Sequence, residues 1–409
     1  MTKLLAQHGP AKGSKITDSM NNGNLSGVIF SQNDENVKSI EKYFQSSEFL
    51  DHSNTFIDPQ FYYSTFEKSI LKKLGDIDEF PSNIARRDWR KKSPKLLDFL
   101  DYHSKVSDDF SDTLITPGFH IDNIDWHFDY SIDIYNYCVE KYHNTPDSEY
   151  TFTNYALSLM ISASFFNNTD NVNEMIEELD EECDKKDFIY MTICHDGKAD
   201  INYEEMDANC LGNILYFIYK LKKVGFKFIV GYTFMNSILF SMIGCDYVAS
   251  GWFNTLRKFQ KNRFDLTDSF GRRKKRYTSV PLLSNIMFDD IHSMVESGAI
   301  LESDIISNTQ FDALHTIDED SVSFVDLEHQ YWESINKVLG EFSGIESIQE
   351  RLSTMNNMIE EALEKYQMVI QVLDKQNEKE TVTRIRTASK HLVSWLSAID
   401  KFKNQSMIL

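Results

Sequence analysis

A chain of 409 residues with 41% apolar and 26% charged side chains can bury a large core, which excludes disorder throughout. A formal net charge of -21 excludes a broadly cationic coat for nucleic acid, and the five scattered cysteines show no CxxC or other metal-ligand spacing. No apolar run approaches the ~20 residues that cross a bilayer, so the sequence predicts a cytoplasmic protein with reduced thiols and no cofactor.

Residues 1–24 hold only a short Leu4-Leu5-Ala6 apolar run, too little for a signal-peptide core, and are expected to form a flexible lead-in. From Gly27 onward, short β-branched or aromatic runs alternate with amphipathic stretches, the pattern of repeated βα units. Eight such runs are predicted as strands: Gly27 to Ser31, Thr55 to Asp58, Thr113 to Thr116, a strand within Leu157 to Phe165, Phe188 to Cys194, Phe226 to Gly231, Tyr247 to Ser250 and Tyr277 to Val280. Eight strands with intervening helices over residues 25–290 predict an α/β fold, a closed (β/α)8 TIM-like barrel, with an open doubly wound sheet as the alternative. The connections at 61–111 and 252–276 are long and are expected to carry extra helices, a lid or a polar excursion.

Beyond about Asp289 the strand pattern stops, and residues 291–409 read as a C-terminal helical extension. Ile348, Leu352, Met355, Ile359, Leu363, Tyr366, Ile370 and Leu373 repeat at coiled-coil-like intervals, and Val382, Ile385, Leu392, Trp395, Ile399 and Phe402 form a second stripe. The two stripes predict a helical hairpin that either packs on the barrel or recruits a partner protein or a second copy.

In a barrel of this type, function sits at the carboxyl ends of the strands. The candidates there are Gln32, Asp58, His120 with Asp122, Asn167, His195 with Asp196, Tyr232, Ser250 with Trp252, and Ser279. Asp58 precedes Pro59 and can act as a base or hold a substrate amine, or simply form a turn. His195 can serve as a general acid or base, and His195-Asp196-Gly197 equally reads as a turn. His120, Asp122, Asp125, His127 and Asp129 offer enough ligands for a divalent ion but match no metal motif, so no resident metal is expected. Two basic clusters oppose the overall charge. One runs from Arg86 to Lys95 around Trp89, and the other from Arg257 to Arg276, with Arg273 in its centre. Together they could form a cationic rim for phosphates, with Trp89 or Trp252 stacking on a base, or they could be solvated loops.

The run FKFIVGYTFMNSILFSMIGCDYVASGWFNTLRKF, with Phe56-Ile57-Asp58 and Phe61, resembles the tRNA-guanine transglycosylases over about a third of the chain. The resemblance implies a (β/α) barrel that exchanges a guanine base through a covalent aspartate intermediate, with Asp58 as a base-recognising carboxylate and Arg257 as a phosphate contact. Two parts of that pattern are missing. Ala249 and Ser250 stand where the nucleophilic aspartate would fall, and the cysteine-rich zinc site has no counterpart.

The expected function is a barrel protein acting on or binding a nucleotide, nucleobase or nucleic acid. Asp58, His120 and His195 would be catalytic, and Gln32, Tyr232, Ser250, Trp252, Arg257 and Arg273 would bind substrate. Two alternatives stand beside it. One is a non-catalytic scaffold that docks a partner through the C-terminal helices, and the other is a metal-dependent hydrolase using His120, Asp122 and His195.

Overall fold

The computed structural model describes residues 1–9, 13–66, 71–143, 150–195, 202–203, 206–253, 256–260, 274–312 and 322–408. Eight parallel strands form a nearly closed barrel: β1 (Lys3–Gln7), β2 (Gly27–Ser31), β3 (Thr55–Asp58), β4 (Thr113–Ile115) and, after the two-residue β5 (His120–Ile121), β6 (Asn154–Ser162), β7 (Phe188–His195), β8 (Lys227–Gly231) and β9 (Tyr247–Ser250). The ladder runs β3-β2-β1-β9-β8-β7-β6-β4, so the last barrel strand pairs back onto the first. β3 and β4 lie side by side without ladder bonds, and the Asp112 amide donates to the His52 carbonyl at 2.9 Å just before these strands begin.

Helices α1 (Lys15–Asn21) and α2 (Val37–Gln45) follow β1 and β2, and the long connection after β3 carries α3 (Arg86–Arg90) and α4 (Pro94–Asp108). α5 (Trp126–Tyr142) precedes β6, and α6 (Thr169–Glu182), α7 (Ala208–Lys223) and α8 (Ser237–Met242) follow β6, β7 and β8. Several of these helices start where the sequence supplies a short polar acceptor. Asn36, Asp125, Asn168 and Asp207 each cap the first free amides of α2, α5, α6 and α7.

The eight-strand count is right, but its membership differs from the sequence reading at both ends. The expected flexible lead-in contains β1, whose Leu4, Leu5 and Ala6 are fully buried. A strand covered on both faces has no polar alternation to announce it, and this one is only five residues long. The expected eighth barrel strand is instead β11 (Arg276–Ser279), after a short β10 (Phe259–Gln260) that pairs with the end of β7. β11 pairs antiparallel with β12 (Ser284–Met287) in a separate ribbon, which removes Ser279 from the mouth and turns its hydroxyl onto the Ile305 carbonyl at 2.6 Å.

Alternation along the barrel strands sorts side chains into an outer core beneath the helices and a small lumen core. Leu5, Ile29, Phe56, Ile115, Ala156, Phe188, Tyr190, Ile229 and Ala249 fill the lumen. Two residues further along the same faces come Gln7, Ser31, Asp58, Ser158, Thr192 and Gly231, so the filling turns from apolar to polar toward the carboxyl ends.

The C-terminal region comprises α9 (Phe288–Glu296), α10 (Phe324–Ser343), α11 (Ile348–Lys375) and α12 (Lys379–Ser406). α11 and α12 form the expected hairpin, and their apolar stripes are spent within the chain. Leu352, Met355, Ile359, Tyr366 and Leu373 are buried, as are Val382, Ile385, Leu392, Trp395, Ile399 and Phe402. α12 lies along α7 at Gly212, where an added Cβ would come within 3.0 Å of Lys401 and 3.1 Å of the Ala398 carbonyl. A glycine inside a helix costs about 1 kcal/mol, and here that cost allows the close approach of the two helices. The buried Asp290 accepts from Arg384 Nε at 2.7 Å, tying α12 to α9. Among the described residues no helix is long and apolar enough to cross a membrane.

Candidate functional site

Asp58 ends β3 facing the lumen and is fully buried. Its Oδ2 accepts from the Tyr190 hydroxyl at 3.0 Å, and its Oδ1 accepts from the Gln60 amide at 2.9 Å. Gln60 sits in the left-handed region at φ 50°, which lets its side chain fold back so that Oε1 accepts from the Ser31 hydroxyl at 3.0 Å and the Asn33 amide at 3.2 Å. Gly231 leaves room beside this group, since a Cβ there would stand 3.0 Å from the Tyr190 hydroxyl and 3.2 Å from Gln7 Oε1. Gly231 thus keeps a side chain out of the space next to the Gln7 amide and the tyrosine that holds Asp58.

Several polar atoms around Asp58 are buried and have no hydrogen-bond partner among the described residues: both amide atoms of Gln7, Nε2 of Gln60 and the hydroxyl of Tyr62. Unpaired polar atoms in an interior are costly, so a cluster of them at the mouth of a barrel marks a place prepared for a ligand or ordered water. Burial, followed by the nearby Asp58 carboxylate, raises the Tyr62 and Tyr190 hydroxyls well above their ordinary pKa, so both remain protonated donors.

Aromatic rings close over this layer. Phe259, carried by β10, lies 5.6 Å from Tyr62 and 5.0 Å from Tyr232, and Tyr62 lies 4.7 Å from Tyr63. Tyr232 itself sits at φ 55°, a strained conformation for a bulky side chain at the turn after β8. A cavity of about 280 Å³ is lined by Tyr62, Tyr63, Phe66, Met160 and Phe259 together with His120, Asp122 and His127. His120 and Asp122 also contact Ser162, which the sequence pattern places inside a longer strand and does not single out. Ser162 Oγ lies 2.9 Å from His120 Nε2 and also bonds Asp122 Oδ1, while His120 Nδ1 lies 3.4 Å from Asp122 Oδ2.

The mouth therefore gathers Asp58, Tyr232 and His120 but not the whole expected set. His195 ends β7 in a separate, small cavity beside Tyr232 and Lys258, and its predicted partner Asp196 lies outside the described residues. Burial, then the neighbouring Lys258 charge, lowers His195 to about 3, so it is neutral at physiological pH. No three His, Cys, Asp or Glu side chains converge as a metal site among the described residues, and His195 lines a different cavity from His120 and Asp122. Gln32 lines a groove of about 580 Å³ with Glu35, Lys38 and Glu79, away from the mouth cavity. Ser250 and Trp252 face α10: the Ser250 hydroxyl is 2.7 Å from that of Tyr331, and the buried Trp252 ring packs edge-on against Trp332 at 6.1 Å.

Of the expected cationic rim, residues 261–273 lie outside the described residues. Arg257 is 4% exposed, with its guanidinium 3.6 Å over the Tyr331 ring and Nε donating to the Gly251 carbonyl at 3.0 Å. Those contacts make it a strut between barrel and α10 rather than a phosphate contact. Arg273 lies outside the described residues. Trp89 is buried on α3 with its indole N–H donating to Asp133 at 3.0 Å, so it offers no open face for stacking.

His195 shares its neutral state with His103 and His391, both fully buried and lowered by that burial to about 4. A histidine that titrates normally only when unfolded stabilises the fold above about pH 6.5, and that stability is lost as the pH falls toward the folded value. Urea unfolding at pH 5 should therefore need less denaturant than at pH 7, by about 1–2 kcal/mol for each of these histidines. Replacing His103 with Gln should reduce the difference; an unchanged pH dependence would show that these rings do not govern it.

No protein-family model matches this chain, and no curated protein matches it.

Proposed function

We propose that the barrel mouth binds and acts on a nucleobase or nucleoside, with Asp58 reading the edge of the heterocycle. The observation that carries this reading is the fully buried Asp58 carboxylate, held by Tyr190 and flanked by the unpaired amide atoms of Gln7 and the unpaired Nε2 of Gln60 beside Tyr62, Tyr63 and Phe259. Carboxylates and primary amides match the adjacent donors and acceptors of a base edge, and aromatic rings provide stacking surfaces. The partial resemblance to the transglycosylases points the same way, although Ala249 and Ser250 leave covalent base exchange through an aspartate without its nucleophile. The supports favour the base over the phosphate, because Arg257 is committed within the core.

The scaffold alternative has less support, since the stripes of α11 and α12 are covered by the chain's own residues. Calorimetric titration with free bases, nucleosides and mononucleotides provides the test. The expected result is saturable binding of at least one base or nucleoside, with little added affinity from a 5′-phosphate. Binding only of phosphorylated members, or of none, would overturn the reading.

A further inference from the structure

Two residues that line the mouth cavity, His120 and Asp122, meet Ser162 and form with it a second set of reactive groups. β5 pairs with β6 in the register His120 to Met160 and Ile121 to Ile161, which brings Asp122 opposite Ser162 just beyond the ladder. The side chains meet there as this register requires. One oxygen, Ser162 Oγ, contacts both His120 Nε2 at 2.9 Å and Asp122 Oδ1, and the other imidazole nitrogen lies 3.4 Å from Asp122 Oδ2. A nucleophile on one ring nitrogen and a carboxylate on the other is the arrangement that activates a serine, because the base is oriented and its developing charge is compensated. The sequence order is no obstacle, since such sets are recognised by geometry and role.

We propose that Ser162 is a nucleophile, with His120 as its general base and Asp122 as the group that orients the imidazole, in a site that hydrolyses small carboxylic esters. The inference does not rest on the nucleobase reading, for Asp58 and Tyr190 take no part in the step. At rest the Ser162 hydroxyl donates to Asp122 Oδ1; rotation about Cβ–Oγ turns its proton to His120 Nε2, which takes it as Oγ attacks the ester carbonyl carbon. The carbonyl π pair moves onto oxygen, and Tyr62, which lines the same cavity, is a hydroxyl-bearing wall residue available to the resulting oxyanion once its side chain turns toward it. Collapse of that intermediate breaks the bond to the alcohol oxygen, which leaves with the proton from His120. Water then attacks the acyl-serine ester while giving a proton to His120, and Ser162 departs with that proton, releasing the carboxylic acid. The net change is ester plus water to acid plus alcohol, with no other reactant.

A cavity of about 280 Å³ lies just below the usual range for ligand sites, and Met160, Phe66 and Phe259 line it, so it fits an aryl or short-chain acyl ester. Ser162 is 8% exposed, and the His120 and Asp122 side chains are 13% and 56% exposed, so the set is sheltered but reachable.

The test is labelling of the full-length protein with a fluorophosphonate, read by intact mass and peptide mapping. The expected result is one adduct per chain at Ser162, none in Ser162→Ala, and at least a ~100-fold slower rate in His120→Ala, the usual contribution of a general base. p-Nitrophenyl acetate turnover should fall in parallel. Ser162→Cys supplies a second readout if alanine disturbs the fold. All five native cysteines are buried, so iodoacetamide should alkylate the new thiol first, with a pH profile that shifts when His120 is also replaced. No adduct on the folded wild type, an adduct on another serine, or labelling of His120→Ala at the wild-type rate would each overturn the proposal.

Discussion

Replacing Asp58 with Asn is expected to lower affinity for the mouth ligand about 100-fold while leaving the melting temperature equal to or above that of the wild type. Asparagine has nearly the shape of aspartate, but it replaces an oxygen that accepts from Tyr190 or Gln60 with a donor. Hydrogen bonds from a ligand to a charged group contribute about 1.5–3 kcal/mol, and the loss of one accounts for a drop of that size. Stability should move the other way, because a buried carboxylate forgoes hydration that a neutral amide does not need. Calorimetry and thermal melting on the same samples separate the two effects. A variant that melts well below the wild type would make Asp58 a structural group, and one that binds as tightly as the wild type would remove it from recognition.

Trp332→Ala is expected to destabilise the protein by about 3–5 kcal/mol, the range for removing a large buried aromatic ring. Trp332 is fully buried on α10, its indole N–H donates to the Ser250 carbonyl at 2.9 Å, and its ring packs against Trp252 and His329. Its neighbours hold the adjoining β11–β12 ribbon and the segment after β9. Gln330 both accepts from the Thr278 amide at 3.0 Å and donates to the Thr278 carbonyl at 2.8 Å, and Tyr331 carries the Arg257 guanidinium. α10 is therefore part of the barrel's core, and a chain ending before Phe324 should fail to yield a folded barrel. Urea unfolding of Trp332→Ala and Trp332→Phe gives the measurement, with phenylalanine recovering much of the apolar contact but not the hydrogen bond. A loss below about 1 kcal/mol in the alanine variant would show that the α10 seam is not a major support of the fold.

Asp58 was legible because Thr55-Phe56-Ile57-Asp58-Pro59 is a strand with its own stop signal, and alternation from the buried Phe56 places Asp58 on the same face. Ser162 was not, because the apolar run continues through Phe165 and hides the point where β6 ends and a short 3-10 helix begins. His120 and Asp122 could be seen as candidates, but only the pairing of β5 with β6 shows that they meet a serine forty residues away. Arg257 was misread because charge normally signals solvent; a tyrosine face and backbone carbonyls supplied by distant segments reversed that expectation.

Local patterns in the sequence were enough to determine the class of this protein: strands alternating with capped helices, a nearly closed parallel barrel and a helical hairpin after it. Those features depend on neighbours within a few residues, through side-chain periodicity and capping. Only the tertiary structure decided that β1 closes the barrel in place of β11, that α10 seals one side of it, and which polar groups share the mouth. These outcomes turn on pairings between residues tens to hundreds of positions apart, which periodicity along the chain does not encode.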